Sequence, residues 1–133
     1  MAALDVMRRY LEAVQRGDWE TGLAFFADDI VLHVPGRLSL AGEHRGREAA
    51  EGYLQAALAR AHRDRVEVEL VDMLASEERV ALIVRESFNR PGADVEIRRA
   101  NVYRLRGDRI AEVWIFEANQ YEVDELFADD PDG

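Results

Sequence analysis

Val95-Glu-Ile-Arg-Arg-Ala-Asn-Val-Tyr-Arg-Leu-Arg106, Gly107-Asp108, Arg109-Ile-Ala-Glu-Val-Trp-Ile-Phe-Glu117 reads as two strands joined by a two-residue turn. In the first strand Ile97, Arg99, Asn101 and Tyr103 share one face, and Arg98, Ala100, Val102 and Arg104 share the other. In the second, Val113, Ile115 and Glu117 oppose Trp114 and Phe116, so both faces are apolar between residues 113 and 116. An antiparallel sheet with one solvated face has no need of that. One face is therefore expected to wrap around helices and a pocket. The other, carrying Trp114 and Phe116, is expected to meet a second copy of the chain, or to be covered by the C-terminal segment.

Working back from this pair, two further strands are expected at 79–89 and around Val66, Val68 and Leu70, where apolar residues alternate with Glu67 and Glu69. Ser76-Glu77-Glu78 and the 90–94 turn separate them, and such short links favour antiparallel neighbours. Ile30 to Val34 is a short β-branched run ended by Pro35-Gly36, and 37–46 has no period and reads as a loop. Before and between these lie helical patterns. Leu4, Met7, Leu11 and Val14 form an apolar stripe over 4–16, and Gly17 stops it. Asp18 caps a second, shorter helix through Trp19, Leu23, Phe25 and Phe26, and 47–62 is alanine-rich. Tyr121 to Phe127 adds a last helical turn, and 129–133 is an acidic tail. The order predicts a single α+β domain over 1–128, with about three N-terminal helices on one face of a strongly bent antiparallel sheet.

Composition narrows the function. Acidic residues outnumber basic ones 27 to 17, for a formal charge of −10, which repels phosphate backbones and argues against nucleic-acid binding. There is no cysteine, which removes thiolate nucleophiles and thiolate-held metals. His33, His44 and His62 have no metal-ligand spacing, and no phosphate-binding glycine loop is present, so no metal or cofactor is expected. No apolar run approaches the ~20 residues that cross a bilayer. Asp5 and Glu12 lie inside the first periodic segment, so no signal peptide or membrane partner is expected and cytoplasmic residence is the default.

Five segments in order carry a resemblance: Met7-Arg-Arg-Tyr10-Leu-Glu-Ala-Val14 with Gly17-Asp18, Phe26-Ala-Asp-Asp29, His33-Val-Pro-Gly36, Gly42 with Gly46-Arg47-Glu48, and Val102-Tyr-Arg-Leu-Arg-Gly107-Asp-Arg-Ile110. Together they resemble the SnoaL-like branch of the nuclear transport factor 2-like superfamily, which includes polyketide cyclases, ketosteroid isomerases and limonene-type epoxide hydrolases. The resemblance implies a cone: a bent sheet closed by three helices around an apolar pocket, dimeric through its outer face. It matches Tyr10 to a ketosteroid isomerase tyrosine. It sets Val34 where those enzymes hold their base and Asn101 where they hold a protonated acid. Valine accepts no proton, so that mechanism is not implied. The epoxide hydrolases' Arg-x-Asp falls on Arg99-Ala100-Asn101, with Glu117 opposite. An asparagine amide donates a hydrogen bond but supplies no proton.

The residues suggest a small-molecule site. Glu117, among Val113 and Ile115, becomes a usable acid or base if burial raises its pKa. A mid-strand inward Asn101 must find partners or lose ~1–3 kcal/mol. Arg99 and Arg85, with Ser87 nearby, are read as sharing the inward face, where two guanidiniums bind a carboxylate, enolate or phosphate. Tyr10, Trp19, Phe25, His33, Val34, Tyr103, Val113 and Ile115 are the expected lining, although strict alternation turns His33 to the other face. The expected ligand is a compact, largely apolar, oxygen-bearing metabolite, either processed by acid–base chemistry or merely carried or sensed; the other alternative is a dimeric protein-interaction module of the same fold.

Overall fold

The helix stripe is centred on Val6, Met7, Tyr10 and Ala13, all buried, one position round from the periodicity reading. It belongs to α1 (Ala3–Gln15) in a computed structural model that describes residues 2–37, 40–61, 65–90 and 93–128. Gly17, at φ +77°, turns the chain out of α1 through a backbone bond to the Val14 carbonyl. Asp18 then caps α2 (Trp19–Leu23), accepting from the Thr21 amide at 3.1 Å and the Thr21 hydroxyl at 2.7 Å. The helix is shorter than its pattern suggested, because Phe26 already belongs to β1 (Phe26–Val34).

β2 (Gly42–Arg45) corrects the loop expected over 37–46. It is a four-residue edge strand paired antiparallel with β1, too polar and short for alternation to register. α3 (Arg47–Ala61) follows, then β3 (Arg65–Ala75), β4 (Arg79–Arg90), β5 (Ala93–Arg106) and β6 (Arg109–Glu117), and finally α4 (Gln120–Ala128). The acidic 129–133 segment lies outside the described residues.

The six strands form one sheet in the order β2-β1-β6-β5-β4-β3. β3 to β6 are an antiparallel meander, as their short links require. β1 and β6 pair in parallel, so the sheet is mixed rather than wholly antiparallel. The connection between them runs through β2, α3 and the meander, which is long enough to return β6 beside β1 in the same direction. Register shifts within β1, at Val71 of β3 and between Arg104 and Leu105 of β5 bend the strands. On the concave side Val6, Met7 and Tyr10 of α1 pack with Phe26, Ile30, Val80, Leu82, Tyr103, Ile110 and Val113. At the rim, Gly36 (φ +107°) lies so close to α4 that a Cβ there would come within 2.6 Å of Asp124 and Gln120. Among the described residues no helix is long and apolar enough to cross a membrane.

Candidate functional site

The register of the meander decides which side chains meet. Val80 stands opposite Tyr103, Leu82 opposite Asn101, Val84 opposite Arg99 and Glu86 opposite Ile97. Across the other edge of β5, Tyr103 faces Val113, Asn101 faces Ile115 and Arg99 faces Glu117. These residues share the concave face with Leu32 of β1, which pairs with Val113. Arg99, Asn101, Tyr103, Val113, Ile115 and Glu117 therefore come together as the alternation indicated. Val34 continues the Leu32 parity, as an apolar neighbour.

Arg85 does not join them. It stands opposite Arg98 on the outer face, 3.1 Å from Glu69 and 3.4 Å from Glu96. The inward residue is its neighbour Glu86. Alternation contained the signal: Val80, Leu82 and Val84 are the more deeply buried set, and Glu86 is next in their row. Ser87 is turned outward with Arg85.

With Glu86 inside, Arg99 sits between two carboxylates. Its Nη1 is 3.3 Å from Glu86 Oε2 and its Nε is 3.0 Å from Glu117 Oε1. The Nε–H is not aimed at an acceptor, so the second contact is an ion pair rather than a hydrogen bond. Side-chain exposure is 16% for Arg99, 18% for Glu86 and 4% for Glu117. Burial pushes the Glu117 carboxyl above the ordinary glutamate value; Arg99 opposes this, while Glu86 and Asp124 add to it. Two buried acceptors in the cluster, Glu117 Oε2 and Asn101 Oδ1, have no hydrogen-bond partner.

An aromatic group packs around Tyr10 and reaches β5 at Tyr103, the neighbour of Asn101 on the concave face. Tyr10 lies 6.1 Å from Tyr103, 6.1 Å from Phe26 and 6.4 Å edge-on from Phe25. Burial holds the Tyr10 phenol protonated far into the alkaline range. It pushes Tyr103 up to about 12, against an opposing hydrogen bond from the Asn101 amide. Trp19 begins α2, half-buried.

His33 is on the outer face, as strict alternation required, and does not line this site. Its Nε2 is 2.5 Å from Glu112 Oε2, and its ring stacks on Trp114 at 5.4 Å and 7°. Arg104 donates to the other Glu112 oxygen at 3.2 Å, and the Arg79 guanidinium lies 5.8 Å above Trp114. In register, Ala81, Val102, Trp114 and His33 form one row of this face; Ile83, Ala100 and Phe116 form the next. Phe116 is 55% exposed. His44, by contrast, pairs with Leu32 and takes the concave parity, with its Nε2 2.7 Å from the Leu40 carbonyl and its ring 5.1 Å from Tyr53.

The fold and sequence have close counterparts. Rv0034 of Mycobacterium tuberculosis is 30% identical over 128 residues, covering 96% of this chain and 97% of that protein. Among solved structures, a Xanthomonas campestris protein of unknown function with a cystatin-like fold superposes with a TM-score of 0.82 at 25% identity, covering 95% of this chain and 98% of that one. Bal32a, from a soil-derived mobile gene cassette, superposes at 0.80 with 26% identity, covering 92% and 94%. The SnoaL-like domain model matches residues 7–113, most of the chain. With its helices on the concave side of a curled sheet and that match across the core elements, the chain belongs to the SnoaL-like domain family.

Proposed function

We propose that the chain is a cofactor-independent acid–base catalyst acting on a compact, largely apolar, oxygenated metabolite held under the helices. The observation that carries this reading is a buried carboxylate, Glu117, with one oxygen against Arg99 and the other without a partner. A base poised near neutrality needs a raised pKa and a free oxygen, and this group has both. In the reaction proposed, Glu117 Oε2 takes a proton from the carbon next to a substrate carbonyl. The C–H bond electrons form the new C=C bond and the C=O π pair moves onto oxygen, giving an enolate. The same carboxyl returns the proton to the enolate carbon or, where a neighbouring double bond extends it to a dienolate, to the far carbon of that system. Tyr10, kept protonated by its surroundings, hydrogen-bonds the enolate oxygen. Asn101 holds a second polar group of the substrate. Arg99 touches Glu117 and acts as a positioning residue, setting its charge state.

The same reading includes a homodimer through the outer sheet face. Trp114 and Phe116, with Ala81, Ile83 and Val102, give a largely apolar band flanked by the Arg79–Arg104–Glu112 charges, a pattern that suits burial against a second copy.

Catalysis is tested with 6-hydroxy-2-tetralone, which has both a hydroxyl and an enolisable C–H, by following deuterium incorporation from D2O by NMR. The wild type accelerates exchange and Glu117→Gln does not, while both bind the compound. A wild type that binds it without accelerating exchange is a carrier, and the catalytic reading falls.

A further inference from the structure

Both orphaned groups in the cluster are acceptors as they stand. On Asn101 the buried carbonyl Oδ1 is the atom without a hydrogen-bond partner. On Glu117, Oε1 faces Arg99 and Oε2 is the atom left over. In water-filled form such acceptors are served by solvent. A ligand that displaces that solvent without bringing donors leaves both bare, and loses affinity for it.

Charge selects in the same direction. On the concave face of β5 and β6 Arg99 is the only cation among the described residues, and two carboxylates already hold it at 3.0 and 3.3 Å. Asp124 of α4 adds further negative charge near Glu117. Arg99 is therefore not free to take a ligand carboxylate or phosphate, and the carboxylates around it oppose one. The pair Arg85 and Arg99, which would have bound an anion, is split across the two faces of the sheet.

We propose that the ligand of this site is an uncharged, ring-sized molecule presenting two hydroxyl donors, one to Asn101 Oδ1 and one to Glu117 Oε2, with no anionic group. The inference rests on the pocket reading above, not on its reaction: it names the class of ligand the resting site binds. A hydroxyl on Glu117 Oε2 takes the place that the reaction gives to the acidic C–H, so such a diol occupies the site without being turned over. Asn101 and Glu117 are diagonal neighbours across β5 and β6, with Cα atoms about 7–8 Å apart, a span that a one- or two-ring diol bridges. Tyr103, next along the concave face from Asn101, is the aromatic ring beside this span, with Tyr10 packed 6.1 Å beyond it.

The test uses matched probes of one shape: hydroquinone and 2,6-dihydroxynaphthalene, their dimethyl ethers, and the corresponding dicarboxylates. Affinities are measured at neutral pH by NMR titration of the wild-type protein. The better diol binds at least tenfold more tightly than its ether, since each neutral hydrogen bond is worth a factor of roughly three to ten, and the dicarboxylates bind more weakly still. Asn101→Leu lowers the diol preference at least threefold and leaves ether affinity unchanged. Should that variant not fold, the wild-type ranking alone decides. An ether or dicarboxylate that binds as tightly as the diol overturns the ligand class and leaves the pocket reading intact. If no probe of either size perturbs the Asn101 side-chain amide resonances, the pocket reading falls with it.

Discussion

Replacing Arg99 with methionine is the sharpest test of the buried cluster. Methionine keeps most of the aliphatic volume and removes the charge that faces Glu86 at 3.3 Å and Glu117 at 3.0 Å. At an effective dielectric of 20, one such pair is worth about 5 kcal/mol before desolvation is counted. Two pairs are lost, but the variant no longer has a guanidinium to desolvate. The net cost of orphaning buried carboxylates is therefore about 3–5 kcal/mol at neutral pH. For a domain of this size that lowers Tm by roughly 10–20 °C. The pH dependence has a fixed sign. The folded-state pKa of Glu117 is already above its unfolded value, and without Arg99, its nearest favourable charge, it rises further. The folded state then binds more protons than the unfolded one, so stability falls as pH rises from the ordinary glutamate value of about 4.3 through the folded value. Urea denaturation followed by tryptophan fluorescence at pH 4 and pH 8 measures this. The deficit of Arg99→Met is small at pH 4 and full at pH 8, and adding Glu117→Gln restores at least half of it at pH 8. A variant within about 1 kcal/mol of wild type at pH 8, or a deficit equal at both pH values, refutes a buried, charge-imbalanced cluster.

Glu117→Gln alone slows deuterium exchange at least ~100-fold, and at pH 8 the protein is more stable than wild type, because the amide removes an ionisation that the fold disfavours. A loss of stability at pH 8 counts against this. Trp114→Glu with Phe116→Lys lowers the mass found by light scattering from that of a dimer to that of a monomer; an unchanged mass rejects the outer-face interface. Glu112, held below the ordinary glutamate range first by its His33 hydrogen bond and then by Arg104, stabilises the fold above that range, and the contribution disappears as pH falls through the lowered value. Glu112→Gln therefore flattens the acid limb of the stability curve by about 0.5–1 kcal/mol, and an identical limb in both proteins rejects the pairing.

The facing of β5 and β6 was legible because period-2 alternation with bulky residues on both sides admits one register. It placed Arg99, Asn101, Tyr103 and Glu117 on one face without further information. β4 was harder, since Val80 to Val84 is apolar at every position and alternation tells nothing until the charged residues arrive. Choosing the Arg85 face there turned on a single residue of parity. β2 was hidden for the opposite reason: Gly42-Glu-His-Arg45 has no apolar residue to bury, and its existence depends on hydrogen bonds to β1. The parallel pairing of β1 with β6 joins residues about eighty positions apart, and only the closure of the sheet decides it.

That single residue of parity also decides the chemistry. Had Arg85 faced inward with Arg99, one carboxylate would have met two guanidiniums. Glu117 would then be held ionised, and the surplus positive charge would recruit an anion. With Glu86 in that place, one guanidinium meets two carboxylates. Burial is what lets Glu117 hold a proton under conditions where an exposed glutamate has lost it, and the Glu86 charge adds to that while the single guanidinium opposes it. The deficit of positive charge also keeps Arg99 from greeting a ligand, because both of its neighbours already occupy it. The site is therefore better suited to moving a proton on a neutral molecule than to gripping a charged one. Reversing the balance by Glu86→Gln should trade the first property for the second, bringing Glu117 down toward the ordinary range and opening the site to carboxylates.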